Sequence, residues 1–318
     1  MRRLAGRGGS VMGPLMQPRA QMQGAATSAM PTRIASSSRL ALTCKSRLPE
    51  RPHFHYGLLG IFLILLAFAS VSGAAQRRTD PLIESSDDPT VLQRYAIEFY
   101  RQNRPQDALA ALSKALSIYP DNAETHMWLG VIYVRLEEIE AADAEFRRAL
   151  ELDEYLTEAR NWYGLYWVNQ GDLDRAIEQY RLALEDPAYP SISRARVLLN
   201  LGNALLQKGD VGAALAPLSE AFRTGVPSND PLYGWIRLGL GETLLKSGRP
   251  EEALTVLAEL RVLPDSARVE LLTGMAYRDL GEVEKAREHL QRVARLEPGS
   301  PLSDQAREIL SSLPRGIE

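Results

Sequence analysis

Two helical patterns meet in TEARNWYGLYWVNQGDLDRAIEQYRLALEDPAYP, residues Thr157–Pro190. The first puts Tyr163, Gly164 and Trp167 on one face. The second puts Ala176, Tyr180 and Ala183 on another. Apolar residues at i, i+3/4 and i+7 argue amphipathic helices. Gly171-Asp172 breaks the chain between them. Gly164 and Ala176 are small enough for two helix axes to approach to roughly 8–10 Å, which bulkier residues would block. A pair this short cannot bury its apolar face alone, so copies are expected to stack beside it.

The copies are present. The small residue of the first helix recurs as Ala96, Gly130, Gly164, Gly202, Gly241 and Gly274. That of the second recurs as Ala108, Ala142, Ala176, Ala214, Ala253 and Ala286. Four residues after it stand Leu112, Phe146, Tyr180, Leu218, Leu257 and Leu290. A period near 34 with this pattern resembles the tetratricopeptide repeat (TPR). The expected fold is all-α: a right-handed α-solenoid of about six TPR helix pairs with a C-terminal capping helix, preceded by a signal or transmembrane segment.

Charge divides the chain. Residues 1–55 hold nine Lys/Arg and one acidic residue, whereas the rest hold 28 basic and 39 acidic. This separates a basic N-terminal tail from an acidic body. An acidic solenoid without a basic stripe is a poor nucleic-acid binder. The single Cys44 excludes an intramolecular disulfide.

Residues 1–55, rich in Arg, Ser, Gly and Pro, read as a disordered tail. The same composition fits a mitochondrial transit peptide, and a start codon assigned too far upstream is a further reading. The next segment, 56–75, contains GLLGIFLILLAFASVSGAA, nineteen residues without a charge. As a helix it spans about 28 Å, enough to cross a bilayer core. Its small-residue end, Ser72 to Ala75, also suits a signal peptidase. The basic tail before it predicts a cytoplasmic N-terminus and repeats on the far side of the membrane. The expected location is therefore periplasmic, membrane-anchored or secreted.

Residues 76–88 are polar and read as a linker. The TPR domain is expected over 89–318. Its first pair covers about Pro89–Asn122, its second Ala123–Leu156. The fourth starts near Ala195 and the sixth runs over about Ala267–Gly299. Ser300 and Pro301 then open the capping helix.

No catalytic constellation, cofactor motif or metal-ligand spacing is expected. His53 and His55 precede the apolar span, while His126 and His289 lie on different repeats. The acidic pairs Glu137-Glu138 and Glu251-Glu252 read as first-turn carboxylates favoured by the helix dipole. No small-molecule substrate is expected. What remains is a binding face.

The first helix of each pair is expected to line a concave groove. Repeat two contributes Met127, Val131, Val134 and Arg135. Repeat three contributes Asn161, Leu165, Val168 and Asn169. Repeat four contributes Leu199, Asn203, Leu206 and Gln207, and repeat five Trp235, Leu238, Glu242 and Leu245. Asn both donates and accepts, so this apolar face with interleaved Asn suits an apolar extended or helical segment of a protein partner. Packing between helices is the competing reading for Val131 and Leu165. Asn161, Asn169 and Asn203 fit it less well, because Asn is a poor core residue.

Asn161, Tyr163 and Gly164, then Ala183, Leu184, Asp186, Pro187, Tyr189 and Pro190, then Asn200, Leu201 and Gly202, resemble the TPR pilotins of bacterial type IV pili. The resemblance covers about fifty residues strongly and the first three or four repeats loosely. It implies an outer-membrane lipoprotein that assists assembly of secretin subunits. One departure stands out. The family's lipid is carried on a Cys just after the signal, where this chain has Ser72-Gly73-Ala74-Ala75 and Cys44 lies upstream. The alternative is a general membrane-tethered TPR scaffold for another complex.

Overall fold

The structure is a computed structural model that describes residues 80–186, 189–262 and 266–314. The basic tail, the apolar span 57–75 and Cys44 lie outside the described residues. Among the described residues there are fourteen α-helices and no strand. None of these helices is long and apolar enough to cross a membrane.

A short helix, α1 (Pro81–Glu84), falls within the stretch expected as linker and buries Ile83. Lys114 holds it by donating to the carbonyls of Ile83 and Glu84. Six helix pairs follow: α2 (Pro89–Arg101) with α3 (Pro105–Ile118), α4 (Ala123–Leu136) with α5 (Ile139–Leu152), α6 (Thr157–Asn169) with α7 (Leu173–Ala183), α8 (Ser191–Lys208) with α9 (Val211–Arg223), α10 (Pro231–Lys246) with α11 (Pro250–Ala258), and α12 (Ala267–Asp279) with α13 (Val283–Leu296). A 3-10 turn, Glu259–Val262, extends α11. The cap α14 (Pro301–Ser312) closes the series, starting with Ser300 as N-cap and Pro301 in its first turn, as its sequence predicts.

Local chemistry sets the starts and turns. Asp88, Asn122, Asp172, Asp210, Asp230 and Ser266 each accept from a backbone N–H of the helix they precede. Each pair turns through one residue with positive φ: Asn103, Glu137, Gly171, Gly209, Gly248 and Gly281. Glu137 therefore lies at the end of α4 in the left-handed region, with Glu138 as N-cap of α5; neither is the first-turn carboxylate expected. Glu251 and Glu252 do occupy the first turn of α11. The fourth pair also differs from expectation, since α8 begins at Ser191. Arg194 anchors its first turn to the Leu184 carbonyl (3.0 Å) and to Glu220 (3.2 Å).

The seam within each pair follows the aligned small residues. Gly130 faces the Phe146 ring, Gly164 the Tyr180 ring, and Gly202, Gly241 and Gly274 the side chains of Leu218, Leu257 and Leu290. A Cβ on Gly130 would stand 2.9 Å from Phe146, inside any real carbon contact. The second-helix alanines are all fully buried. Each second helix packs on its own first helix and on the next one, while first helices of successive pairs also pack on one another. The first helices thus form one continuous face.

Candidate protein-interaction face

The first-helix face is built register by register. Numbering from the seam residue, position −3 points between neighbouring first helices. There the structure buries Met127, Asn161 and Leu199, with Leu238 half-buried. Asn161 is 2 % exposed and accepts from Asn200 Nδ2 on α8 at 2.9 Å. This Asn–Asn pair joins two repeats and is not available to a partner. Its signal in the sequence was the register itself, since Met127, Leu199 and Leu238 at the same position are apolar.

Position +1 holds Val131, which is fully buried, and Leu165, which is half-buried; Asn203 is exposed and Glu242 is not. Burial pushes the Glu242 carboxyl up, but bonds from Lys246 and Arg268 outweigh it and hold the group below the usual range. Position +4 holds Val134, Val168 and Leu206, all half-buried, and Leu245, which is buried. Position +5 holds Arg135, Asn169 and Gln207, all exposed. Trp235, in the first turn and a half of α10, is 41 % exposed, one of few large apolar side chains so open.

Of the expected groove residues, Val134, Leu165, Val168, Asn169, Asn203, Leu206, Trp235 and Leu238 reach the surface of this face. Met127, Val131, Asn161 and Leu199 serve the packing between first helices. The sequence reading missed an aromatic run beside them. Tyr100, Trp128 and Trp162 follow one another across three repeats at centroid distances of 6.2 and 6.1 Å. Tyr100 Oη and Trp162 Nε1 are buried there without a hydrogen-bond partner.

The opposite side is more polar. Between α5 and α7 a cleft of about 270 Å³ is lined by Asp143, Arg147, Tyr163, Trp167, Arg175, Glu178 and Gln179. Its groups are already engaged. Tyr163 donates to Asp143 at 2.6 Å, and the Arg175 guanidinium lies 3.4 Å from the Trp167 ring centre. Burial, with the bond to Asp143, pushes the Tyr163 hydroxyl far up. Among the described residues no group of three or more His, Cys, Asp or Glu side chains is placed to hold a metal ion.

Comparison with known proteins identifies the repeats. Tetratricopeptide repeat family models match residues 96–156, 133–191 and 238–301, and a further one matches 205–262. The chain belongs to the tetratricopeptide repeat family, whose stacked helix pairs form a protein-interaction scaffold. Among curated proteins none matches its sequence. Among solved structures it is similar to pilF of Pseudomonas aeruginosa, with TM-score 0.61 and 24 % identity over 70 % of this chain and 97 % of that one. It is also similar to PilW, described as a widely conserved type IV pilus biogenesis factor, with TM-score 0.59 and 23 % identity over 69 % and 98 % of the two chains. YrrB, described as a TPR protein with an unusual peptide-binding site, matches with TM-score 0.53 and 24 % identity over 62 % and 98 %. At these identities the likeness is one of fold.

Proposed function

We propose that this protein is a non-catalytic scaffold of the bacterial envelope. Its first-helix face holds an apolar or helical segment of a protein partner in type IV pilus assembly, with a secretin subunit as that partner. The observation that carries the reading is the middle of the face. There Val168, Leu206 and Leu238 stand half-buried and Asn169, Asn203 and Trp235 exposed, with Glu242 in the same register as Asn203 neutralised by Lys246 and Arg268. Apolar anchors with amide donors and acceptors between them suit a segment that offers both side chains and backbone. The fold likeness to PilW supports the choice of machine. The apolar residues 57–75 hold the repeats at the membrane, on its periplasmic side.

A second reading rests on Ser72 to Ala75, which stand where the pilotins carry a lipid-bearing Cys. It makes the protein a membrane-tethered scaffold for another envelope complex. One experiment separates the two. Secretin multimers are quantified in cells lacking the protein and in cells carrying Leu206→Asp or Trp235→Asp, with helicity checked by circular dichroism. Loss of multimers in all three supports the secretin assignment. Normal multimers in the deletion strain remove it.

A further inference from the structure

The rows of the first-helix face differ in chemistry. Position +5 is exposed in all six pairs, and in the first five it carries a nitrogen donor: Arg101, Arg135, Asn169, Gln207 and Lys246. In the sixth it is Asp279. Next to it, position +4 carries Val134, Val168 and Leu206. A row of donors over five repeats therefore runs beside apolar side chains that reach the surface in repeats two to four.

Charge follows the same division. The six first helices hold eleven Lys/Arg and six Asp/Glu, while the rest of residues 80–318 hold fifteen and thirty-three. Arg160, Arg194 and Arg237 turn away from the face, toward Gln179, Glu220 and Glu259. The donor row does not. Arg135 is bonded to the side-chain amide of Asn103 at 2.7 Å, not to a carboxylate. Among the described residues, the side chains of Asn169 and Gln207 have no hydrogen-bond partner. Arg101 and Lys246 share surface ion pairs with Glu98 and Glu242. The Arg101 pair is exposed and exchanges readily, because exposed pairs contribute little; the half-buried Glu242 keeps Arg268 as a second partner when Lys246 leaves it. The helix dipole favours cations in the last turn. It does not account for amides in the same register or for the apolar row alongside.

Building on the proposed function, we infer that the segment held here is an amphipathic helix with an acidic edge. Its apolar side chains lie on the +4 row and its carboxylates on the +5 row. The spacing agrees. Packed helices lie about 8–10 Å apart, so the donors recur at roughly that interval. Seven residues of a helix, just under two turns, rise about 10.5 Å, so an acid at every seventh residue meets one donor per repeat. The acidic surface elsewhere on the protein repels the same segment.

The test uses the full chain in detergent and two labelled helical peptides with identical Leu/Val faces. One carries Glu at seven-residue spacing along one edge, the other Lys. Fluorescence anisotropy is expected to give about tenfold tighter binding of the Glu peptide at low salt, narrowing as salt screens the pairs. Arg135→Glu and Lys246→Glu, each folded by circular dichroism, are expected to move the preference toward the Lys peptide. Equal affinities that neither substitution shifts overturn the acidic edge and leave the face itself a binding surface. Binding of neither peptide overturns the inference as well. So does tighter binding of an oligonucleotide of equal charge, which makes the row a polyanion site. The underlying function fails separately, in the secretin assay.

Discussion

Gly164 lies beneath the Tyr180 ring, and Tyr180 is fully buried. Even a methyl group has no room there, so Gly164→Ala is expected to destabilise the protein by about 1–3 kcal/mol. Thermal melts of variant and parent check this; an unchanged midpoint would show that the ring can swing aside. Glu137 sits at φ 65°, where four of the six repeats place glycine. The left-handed region costs a side chain about 1–2 kcal/mol, of which glycine's extra freedom in the unfolded chain returns part. Glu137→Gly is therefore expected to stabilise by about 0.5–1 kcal/mol in denaturant titrations. The seam residues were legible in the sequence because a small residue recurs wherever a large one must approach. Asn161 was not. Its polarity argues for the surface and its register for the interior, and packing between α6 and α8 settles the conflict by giving it a partner.

At the scale of elements, the Asn161–Asn200 bond ties α6 to α8. Breaking it leaves a buried amide unpaired, which costs about 1–3 kcal/mol. Asn161→Ala is thus expected to lower stability as well as any binding, and it is a poor probe of the face. The double change Asn161→Leu with Asn200→Leu is expected to cost less than the sum of the single changes, because it leaves neither amide alone. Additive costs in a double-mutant cycle would mean that the two side chains do not interact. The early start of α8 belongs to this scale too. DPAYPSIS reads as a turn from its prolines and serines, yet Tyr189 is buried and Arg194 reaches both the preceding helix end and α9. Those contacts join distant parts of the chain, so no local pattern announces them.

At the scale of the molecule, one register sorts the residues of the first helices. Position −3 packs in repeats two to four, whereas position +5 is exposed throughout and position +4 is half-buried in those same repeats. The sequence alone made the face legible as a set of helices but not as rows, since the burial of each row depends on how closely successive first helices approach. Gly239 shows this: a Cβ there would stand 3.3–3.4 Å from Asn203 and Leu199 across the α8–α10 contact, and 3.2 Å from Leu218 on α9. Placement relative to the membrane has its own test. On the proposed topology, in which the basic tail before the apolar span stays cytoplasmic, a phosphatase reporter fused at Asp80 is expected to be active. An inactive fusion, with a cytoplasmic reporter active at the same point, would place the repeats inside. On the proposed function, the first-helix face and not the opposite side engages the partner. This is measured by co-purification of the secretin subunit from envelope extract with folded Val168→Asp, Leu206→Asp and Arg147→Glu variants. An Asp on the apolar row sets an unpaired charge against an apolar ligand, so the first two are expected to lose the partner. Arg147→Glu, on the far side, is expected to retain it. Retention by Val168→Asp and Leu206→Asp with loss in Arg147→Glu would place the partner on the opposite side.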